Sequence, residues 1–493
     1  MDRIIDVKRG TSEYQILADY FNGKDEFNPS VISIEKPKQR SINNPISEEI
    51  IGRYRKSEAR VSVLSDYLLM KTLIEEVKVI PSFAEAGPRK SLSFNPLSVK
   101  AAIVTTGGIA PGLHSVIHAI VQRHHNVYKL NENEGGIIYG IRDGFRGLCR
   151  DGSGFIKLTP QITERWLSLG GSQLGSVRYY PETSKTGGDS TISQNILATE
   201  VLKRLTSNNI DILYVLGGDG SMRVAHQIAG LSKDKSIACV PKTMDNDILW
   251  VWESFGFSTA VEEAARVVNT LHQEAVSTRR ICIIELFGAE SGFVAANASL
   301  ASGHADLVLI PEVFRFLASK EGACERYWDA CISHIEKKIK SRIDDHDPHA
   351  LIVVAQGVST IFDAFNIEIH GHRITKTEDL FNLFHVQLKD IKSTDGDEIK
   401  IFENQPKHNI RAVTANAHDQ IYCERLGALI VDNALAGYTD FMVSQWMTEY
   451  VLVPLSLPTS GQKSIPLDGV FWKQVTNVTG QPSHESAIME ITN

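Results

Sequence analysis

Hydrophobic and polar positions divide the chain into two unlike stretches. Up to about residue 96 the pattern is polar and punctuated by proline, around one stretch, roughly 47 to 77, in which Val61, Leu64, Leu68 and Leu69 recur at helical spacing. That stretch predicts a helix within an arm that packs on a neighbouring domain or subunit; a loosely ordered leader is the plainer alternative. From Val99 onward, short apolar runs end in glycine turns and lead into helical segments. Lys100–Thr105 is the first such run; it enters Gly107-Gly108-Ile109-Ala110-Pro111-Gly112, and 115–122 reads as the following helix. Residues 210–216 repeat the scheme into Gly217-Gly218-Asp219-Gly220, with 222–229 as helix and 236–240 as the next strand. Residues 280–286, 307–310 and 351–355 are further buried-strand candidates. Alternating β and α elements, with strands apolar on both faces, imply parallel sheets covered by helices. Ligands in such folds lie at the carboxyl ends of strands, where these glycine turns fall.

Length and composition narrow the picture. A chain of 493 residues is too long for one small core and is expected to form two domains besides the arm. Hydrophobic content of 42% and charged content of 22% are those of an ordinary globular protein. The formal charge of −8, with no long basic stripe to offset it, argues against nucleic acid as a partner. It leaves open a local cationic pocket for a small phosphorylated ligand. The six cysteines are scattered, with no Cys-x-x-Cys pair, and read as reduced thiols. The opening residues lack the apolar run of a signal peptide, and no stretch is long and apolar enough to span a membrane. A cytoplasmic protein without membrane contact is therefore expected.

Candidate chemistry is concentrated in the turns. Closely spaced glycines let backbone N–H groups approach phosphate oxygens, and a following helix offers its positive N-terminal end. Either turn alone could be a tight connection that needs glycine torsions. Two of them, each between a strand and a helix, favour phosphate. Gly107, Gly108 and Gly112 in the first, and Gly217, Gly218, Gly220 and Ser221 in the second, are the candidate cradle. Asp219, inside the second, is either a turn former or a magnesium ligand, since magnesium prefers one or two carboxylates plus phosphate oxygens. Gly220, without a side chain, leaves room for the α-phosphate and nucleoside of ATP. Downstream, Pro241-Lys242-Thr243-Met244-Asp245-Asn246-Asp247 sets two carboxylates two residues apart beside a lysine. Phosphoryl transfer needs positioning, charge neutralisation and a base for the acceptor hydroxyl. Asp245 is the candidate base, Asp247 a second carboxylate orienting substrate or metal, Thr243 a hydroxyl donor and Lys242 a charge on the polyphosphate. An Asx-rich loop capping a helix is the alternative. Gly170-Gly171-Ser172 and Leu174-Gly175-Ser176-Val177-Arg178 add a glycine turn whose Arg178 would neutralise the phosphoryl group in flight, unless it is a surface arginine.

These segments occur in order with Phe255-Gly256-Phe257-x-Thr259-Ala260, and together they resemble the phosphofructokinase family, in particular its long, plant-type ATP-dependent branch. The likeness runs from about residue 89 to 483, and its motifs are jointly specific. It implies a kinase moving the γ-phosphoryl group of ATP, with Mg2+, onto a hydroxyl of a phosphorylated sugar, fructose 6-phosphate giving fructose 1,6-bisphosphate. It implies two Rossmann-like three-layer α/β/α domains with the active-site cleft between them. Their boundaries would be 1–96 for the arm, 97–256 for the ATP domain, completed by 410–455, and 257–409 for the sugar-phosphate domain, completed by 456–493. Gly220 together with Lys242 resembles the ATP users rather than the pyrophosphate users. By the same resemblance Arg280 grips the sugar 6-phosphate, often across a subunit boundary in a homodimer or homotetramer. His408 and Arg411 match the distal phosphate clamp, and Phe287 and Gly288 belong to the sugar turn.

Two positions depart from the family pattern. Ala289 stands in Phe287-Gly288-Ala289 where the family has an arginine that stabilises the phosphoryl group. Gln356 stands in Ala355-Gln356-Gly357 where a glutamate contacts sugar hydroxyls, while Glu290 adds a carboxylate nearby. Losing one electrostatic donor typically costs about 10²–10³ in turnover. Base, metal and phosphate positions remain, so an active kinase is expected, with a different sugar phosphate (an amino sugar or a longer ketose) as rival acceptor and a non-catalytic sensing subunit as rival class. Weaker signals are read blandly. The segment 344–349 is a solvated loop, His124 and His125 close a helix and face water or its C-terminus, and Trp250 and Trp252 pack under the Gly256 turn or stack on a ligand.

Overall fold

The computed structural model describes Glu13 and residues 42–489, apart from 52, 57, 65–69, 72–73, 76–79, 151–153, 178–189, 344–346, 393–395 and 397. Two main sheets organise these residues. The larger has nine strands, in the spatial order Arg60–Ser62, Ser82–Glu85, Glu449–Pro454, Phe441–Trp446, Ser236–Pro241, Ile212–Gly217, Lys100–Thr105, Ile137–Ile141 and Phe155–Lys157. Its five strands from Phe441–Trp446 to Ile137–Ile141 run parallel, and each strand outside them pairs antiparallel with its inner neighbour. The second sheet is wholly parallel, in the order Leu307–Leu309, Ala350–Ala355, Ile281–Leu286, Ile401–Asn404. All six apolar runs expected to be strands are strands. Ile212–Gly217, Ser236–Pro241, Ile281–Leu286 and Ala350–Ala355 are buried at every residue, as parallel strands covered on both faces must be. The chain is an α/β protein with two such domains.

The arm differs from its pattern. The predicted helix over 47–77 is not continuous: Glu48–Ile51 is helical, and so among the described residues are Met70, Lys71, Ile74 and Glu75, but Arg60–Ser62 between them is a strand against Ser82–Glu85, which in turn pairs with Glu449–Pro454. An open sheet edge presents unpaired N–H and C=O groups, and pairing there outweighed a weak helical period. Leu68 and Leu69 lie outside the described residues. His124 also differs: it is fully buried, its Nε2 2.9 Å from the Tyr214 hydroxyl, in a π-helical turn over Arg123–Val127. Beside it, Arg123 makes a bidentate pair with buried Asp432 at 2.8 Å, and the Tyr128 hydroxyl donates to the same carboxylate. A helix end that would have faced water is covered by Ala417–Leu435, which packs on Leu113–Gln122 so closely that a Cβ on Gly427 would lie 2.5 Å from that of Ala119.

The Gly256 turn is explained by packing. Gly256 has φ 90°, and a Cβ there would meet the Pro111 carbonyl at 2.8 Å. Asp419 caps the helix Phe257–Thr278 from outside it, accepting from the N–H groups of Gly256 (2.9 Å) and Thr259 (2.8 Å) and from the Thr259 hydroxyl. Trp250 is fully buried among Phe83 and Trp446, with centroids at 5.7 and 5.8 Å, whereas Trp252 is exposed; neither lines the cleft.

Candidate active site

The carboxyl ends of strands from both sheets open onto one cavity of about 620 Å³. From the larger sheet come Gly107 and Gly108 after Lys100–Thr105, and Gly218, Asp219, Gly220 and Ser221 after Ile212–Gly217. Lys242, Thr243, Asp245 and Asp247 follow Ser236–Pro241 into the same wall. From the second sheet come Phe287, Ala289 and Glu290 after Ile281–Leu286, and Gln356 after Ala350–Ala355, with Arg411 from the short helix His408–Arg411.

The diglycine turn is held between two cations. Gly107 has φ 87°, and a Cβ there would come within 3.6 Å of the Lys242 Nζ; one on Gly108 would lie 3.7 Å from an Arg411 Nη. The Lys242 ammonium donates to the Gly108 carbonyl, and the Ser176 hydroxyl to that of Gly107 at 2.9 Å. Arg411 lies over the Phe287 ring, 5.0 Å from its centroid, and its buried Nε has no protein acceptor. A buried guanidinium donor without an acceptor suits an anionic ligand. The loop 172–177 docks on the same turn, the Thr106 hydroxyl reaching the Val177 carbonyl at 3.4 Å, but Arg178 itself lies outside the described residues.

Burial raises the pKa of both carboxylates of the acidic turn. Asp245, half-buried on the cleft wall, is pushed up to about 7, first by desolvation and then by the charge of Asp247, while Lys242 and Arg411 pull it down. Asp247 is also raised by burial, but the Thr243 hydroxyl donates to it at 2.8 Å and favours its ionised form. Asp219 opens the helix Asp219–Leu231, where its charge suits the helix dipole, and it pairs with Arg223 one turn on at 3.1 Å. Asp219 and Asp247 repel each other enough to raise Asp247. Magnesium fits this donor set as an ion shared with phosphate, with Asp219 the residue that would hold it. Among the described residues no group of three His, Cys, Asp or Glu could hold a metal by itself.

Several expected site residues are not brought to the cavity. Gly112 caps the helix Leu113–Gln122 with φ 91°, and a Cβ there would strike Cys423 Sγ at 2.6 Å. Gly217 and Gly288 shape their turns from behind the wall. His408 is exposed, outside the cavity lining. Arg280 precedes Ile281–Leu286, at the end of that strand opposite the cleft, and faces Glu274 at 4.0 Å. The departures are neighbours: a Cβ on Gly357 would sit 2.4 Å from the Ala289 carbonyl oxygen and 3.1 Å from Glu290 Cα. Ala289 has φ 45°, and Glu290 turns outward to Arg315 at 3.4 Å. The pattern of residues missed Phe145, Leu197 and Val224, which give the cavity an apolar end beside Gly220, and Thr360 and Gln462 at its rim. Only Phe145, following Gly144 after an apolar run, carried a local signal.

This arrangement, with a glycine-and-cation cradle on one α/β domain facing cationic and polar groups on another, defines a two-domain protein built to hold anions across a cleft. Residues 100–434 match the family model described as Phosphofructokinase, and the chain belongs to that family. It is 33% identical over 420 residues to the ATP-dependent 6-phosphofructokinase of Amycolatopsis methanolica, covering 83% of this chain and 84% of that one. Identity to the chloroplastic ATP-dependent 6-phosphofructokinase 4 of Arabidopsis thaliana is 32%, over 81% of this chain and 71% of the relative. Among solved structures, a pyrophosphate-dependent phosphofructokinase from Marinobacter aquaeolei superposes with TM-score 0.57 at 16% identity, over 78% of this chain and 92% of that one. The Saccharomyces cerevisiae phosphofructokinase gives 0.54 at 20% identity over 80% of this chain, which spans 48% of the yeast chain. No described helix is long and apolar enough to cross a membrane.

Proposed function

We propose that the chain is an ATP-dependent sugar-phosphate kinase whose acceptor is fructose 6-phosphate. The observation that carries this reading is the meeting, in one cavity, of Asp245 near neutrality with a diglycine turn flanked by Lys242 and Arg411. The polyphosphate lies along Gly107, Gly108 and the Gly218–Ser221 turn, with the base of the nucleotide toward Phe145, Leu197 and Val224. Lys242 neutralises the terminal phosphates and Arg178 joins it. Asp245 accepts the proton of the acceptor hydroxyl as that oxygen attacks the γ-phosphorus in line and the bond to the bridging oxygen of ADP breaks. Thr243 donates to Asp247 beside it, which favours that carboxylate's charged form against the burial that raises its pKa. Asp219 would hold magnesium, which when bound would supply charge neutralisation on the phosphates. Arg411 binds the sugar's own phosphate from the cavity wall, with His408, exposed one turn before it on the same short helix, as the outer half of the clamp. Arg280 serves the cleft of a neighbouring copy in a homodimer or homotetramer, because its own chain carries it to the far end of its strand. The division at 97–256 and 257–409, with the C-terminal segments completing each half, and a cytoplasmic location belong to the same reading.

One observation favours a second acceptor. Ala289, Glu290 and Gln356 line the acceptor wall together, where the two departures from the family pattern remove a cation and a carboxylate and Glu290 turns to Arg315. A sugar phosphate bearing an amine or a longer chain suits that wall. An ADP-release assay across hexose, aminohexose and heptulose phosphates tests both: turnover with fructose 6-phosphate carries the first, preference for another member the second. A thermal shift with these ligands but no ADP from any of them would make the chain a sensing subunit instead.

A further inference from the structure

The acidic turn is held in a conformation it would not adopt unaided. Asn246, between the two carboxylates, has φ 54°, and Trp250, four residues on, has φ 63°. Asparagine tolerates the left-handed region, but for a bulky tryptophan it is a strained state that persists only where the surroundings over-determine it. Glu13 accepts from the Trp250 N–H at 3.0 Å, and Asn246 Oδ1 accepts from the Ser254 N–H at 3.1 Å.

The rest of the constraint comes from Lys463. Its backbone N–H donates to the Asp247 carbonyl at 2.9 Å. Its ammonium, almost fully buried, donates to the carbonyls of Val251 at 2.8 Å and Trp252 at 2.9 Å and approaches Asn246 Oδ1 at 3.5 Å. Those three acceptors match the three donors of an ammonium. Two residues on, the Ile465 N–H donates to Glu312 Oε1 at 3.1 Å, and the same oxygen accepts from the Gly292 N–H at 3.0 Å. Next to Gly292, the Ser291 hydroxyl donates to the Asp245 carbonyl at 3.0 Å, closing the ring. The adjacent Gln462 lines the cavity, so the segment both frames the cleft and grips the turn.

Resting on the kinase reading above, we propose that Lys463 is a positioning residue: it straps the Asp245–Asp247 turn to the Ser291–Gly292 turn of the second sheet, so that the base of one domain is registered against the acceptor wall of the other. Beyond the backbone carbonyls of Asp245 and Asp247, the ring draws on no residue that lines the cavity, yet it joins both walls of the cleft through named bonds. A misplacement of about 1 Å at such a site can cost around 10² in rate.

The test is Lys463→Met, with Lys463→Arg and Ser291→Ala as companions, on the full-length protein. Lys463→Met is expected to lower kcat about 10²-fold while KM for ATP changes less than about 3-fold, and Lys463→Arg is expected to recover most of the loss. Ser291→Ala is expected to lower kcat about 10-fold, and the double variant less than the product of the two. Hydrogen exchange of the peptide spanning 245–254, which needs no turnover, is expected to accelerate at least about 10-fold in Lys463→Met. Unchanged exchange there overturns the strap whatever the enzyme's substrate. Wild-type inactivity on every sugar phosphate, with faster exchange in the variant, sinks the kinase reading and leaves the strap standing. Losses in kcat that track only the folded fraction, or strictly multiplicative effects of the two substitutions, also overturn it.

Discussion

Asp245 shows what the site demands of a single residue. Burial and the neighbouring Asp247 raise its pKa to about 7, so the ionised form that the proposed base requires is gained as pH rises. For the wild type, kcat/KM is expected to climb through about pH 7 and level off above it. Asp245→Asn is expected to lower turnover by roughly 10³-fold at every pH while nucleotide binding, followed by thermal shift, persists. The same substitution bears on stability with a definite sign. A carboxyl whose folded pKa is raised costs stability progressively as pH climbs from the ordinary carboxyl value of about 4 to about 7, so the asparagine variant is expected to melt higher than wild type at pH 8, with the gap narrowing at pH 5 and closing below about pH 4. The carboxylate lies on the cleft wall where water screens it, which keeps the gain near 1 kcal/mol rather than the full linkage value. Ala289 is the complementary test. Restoring a cation by Ala289→Arg is expected to raise fructose 6-phosphate turnover by at least about 10-fold if the acceptor has diverged, in a steady-state comparison with the other sugar phosphates.

At the level of elements, the six buried strands were legible because parallel strands covered on both faces read as continuous apolar runs. The glycine turns were legible because their positions follow those runs. Sequence pattern failed where an element depends on a distant partner: Val61 pairs into a sheet edge offered by Ser82–Glu85, and His124 is buried by a helix 300 residues later in the chain. Asp419 is a third case, since nothing near it in sequence says that it caps the helix Phe257–Thr278. Removing it by Asp419→Ala leaves two buried N–H groups and a hydroxyl unsatisfied. Thermal unfolding is expected to fall by several degrees, for a loss of about 2–3 kcal/mol. The helix does not line the cleft, so kcat per folded molecule is expected to stay within about 2-fold of wild type.

For the whole molecule, Arg280 carries the strongest prediction. The strand after it has six residues, and at about 3.3 Å each they set it roughly 20 Å from the cleft of its own chain. If it serves a neighbouring copy, Arg280→Ala and Asp245→Asn subunits, each inactive alone, are expected to complement when mixed and reassembled. Hybrids would contain a cleft with both residues intact, giving about a quarter of wild-type turnover in a randomly assembled dimer. No recovery, with hybrids confirmed by mass, would return Arg280 to a role at the surface of one chain.

The order of the motifs by itself determined the family and singled out the turns that line the cleft, because glycine torsions, paired carboxylates and apolar strands are local properties written where they act. Only the tertiary structure decided that Lys242 and Arg411 flank one diglycine turn, that Asp245 is raised, and that Lys463 grips the turn carrying it. Those outcomes depend on burial and on distances between residues far apart in the chain, and neither is a property of any short stretch of sequence.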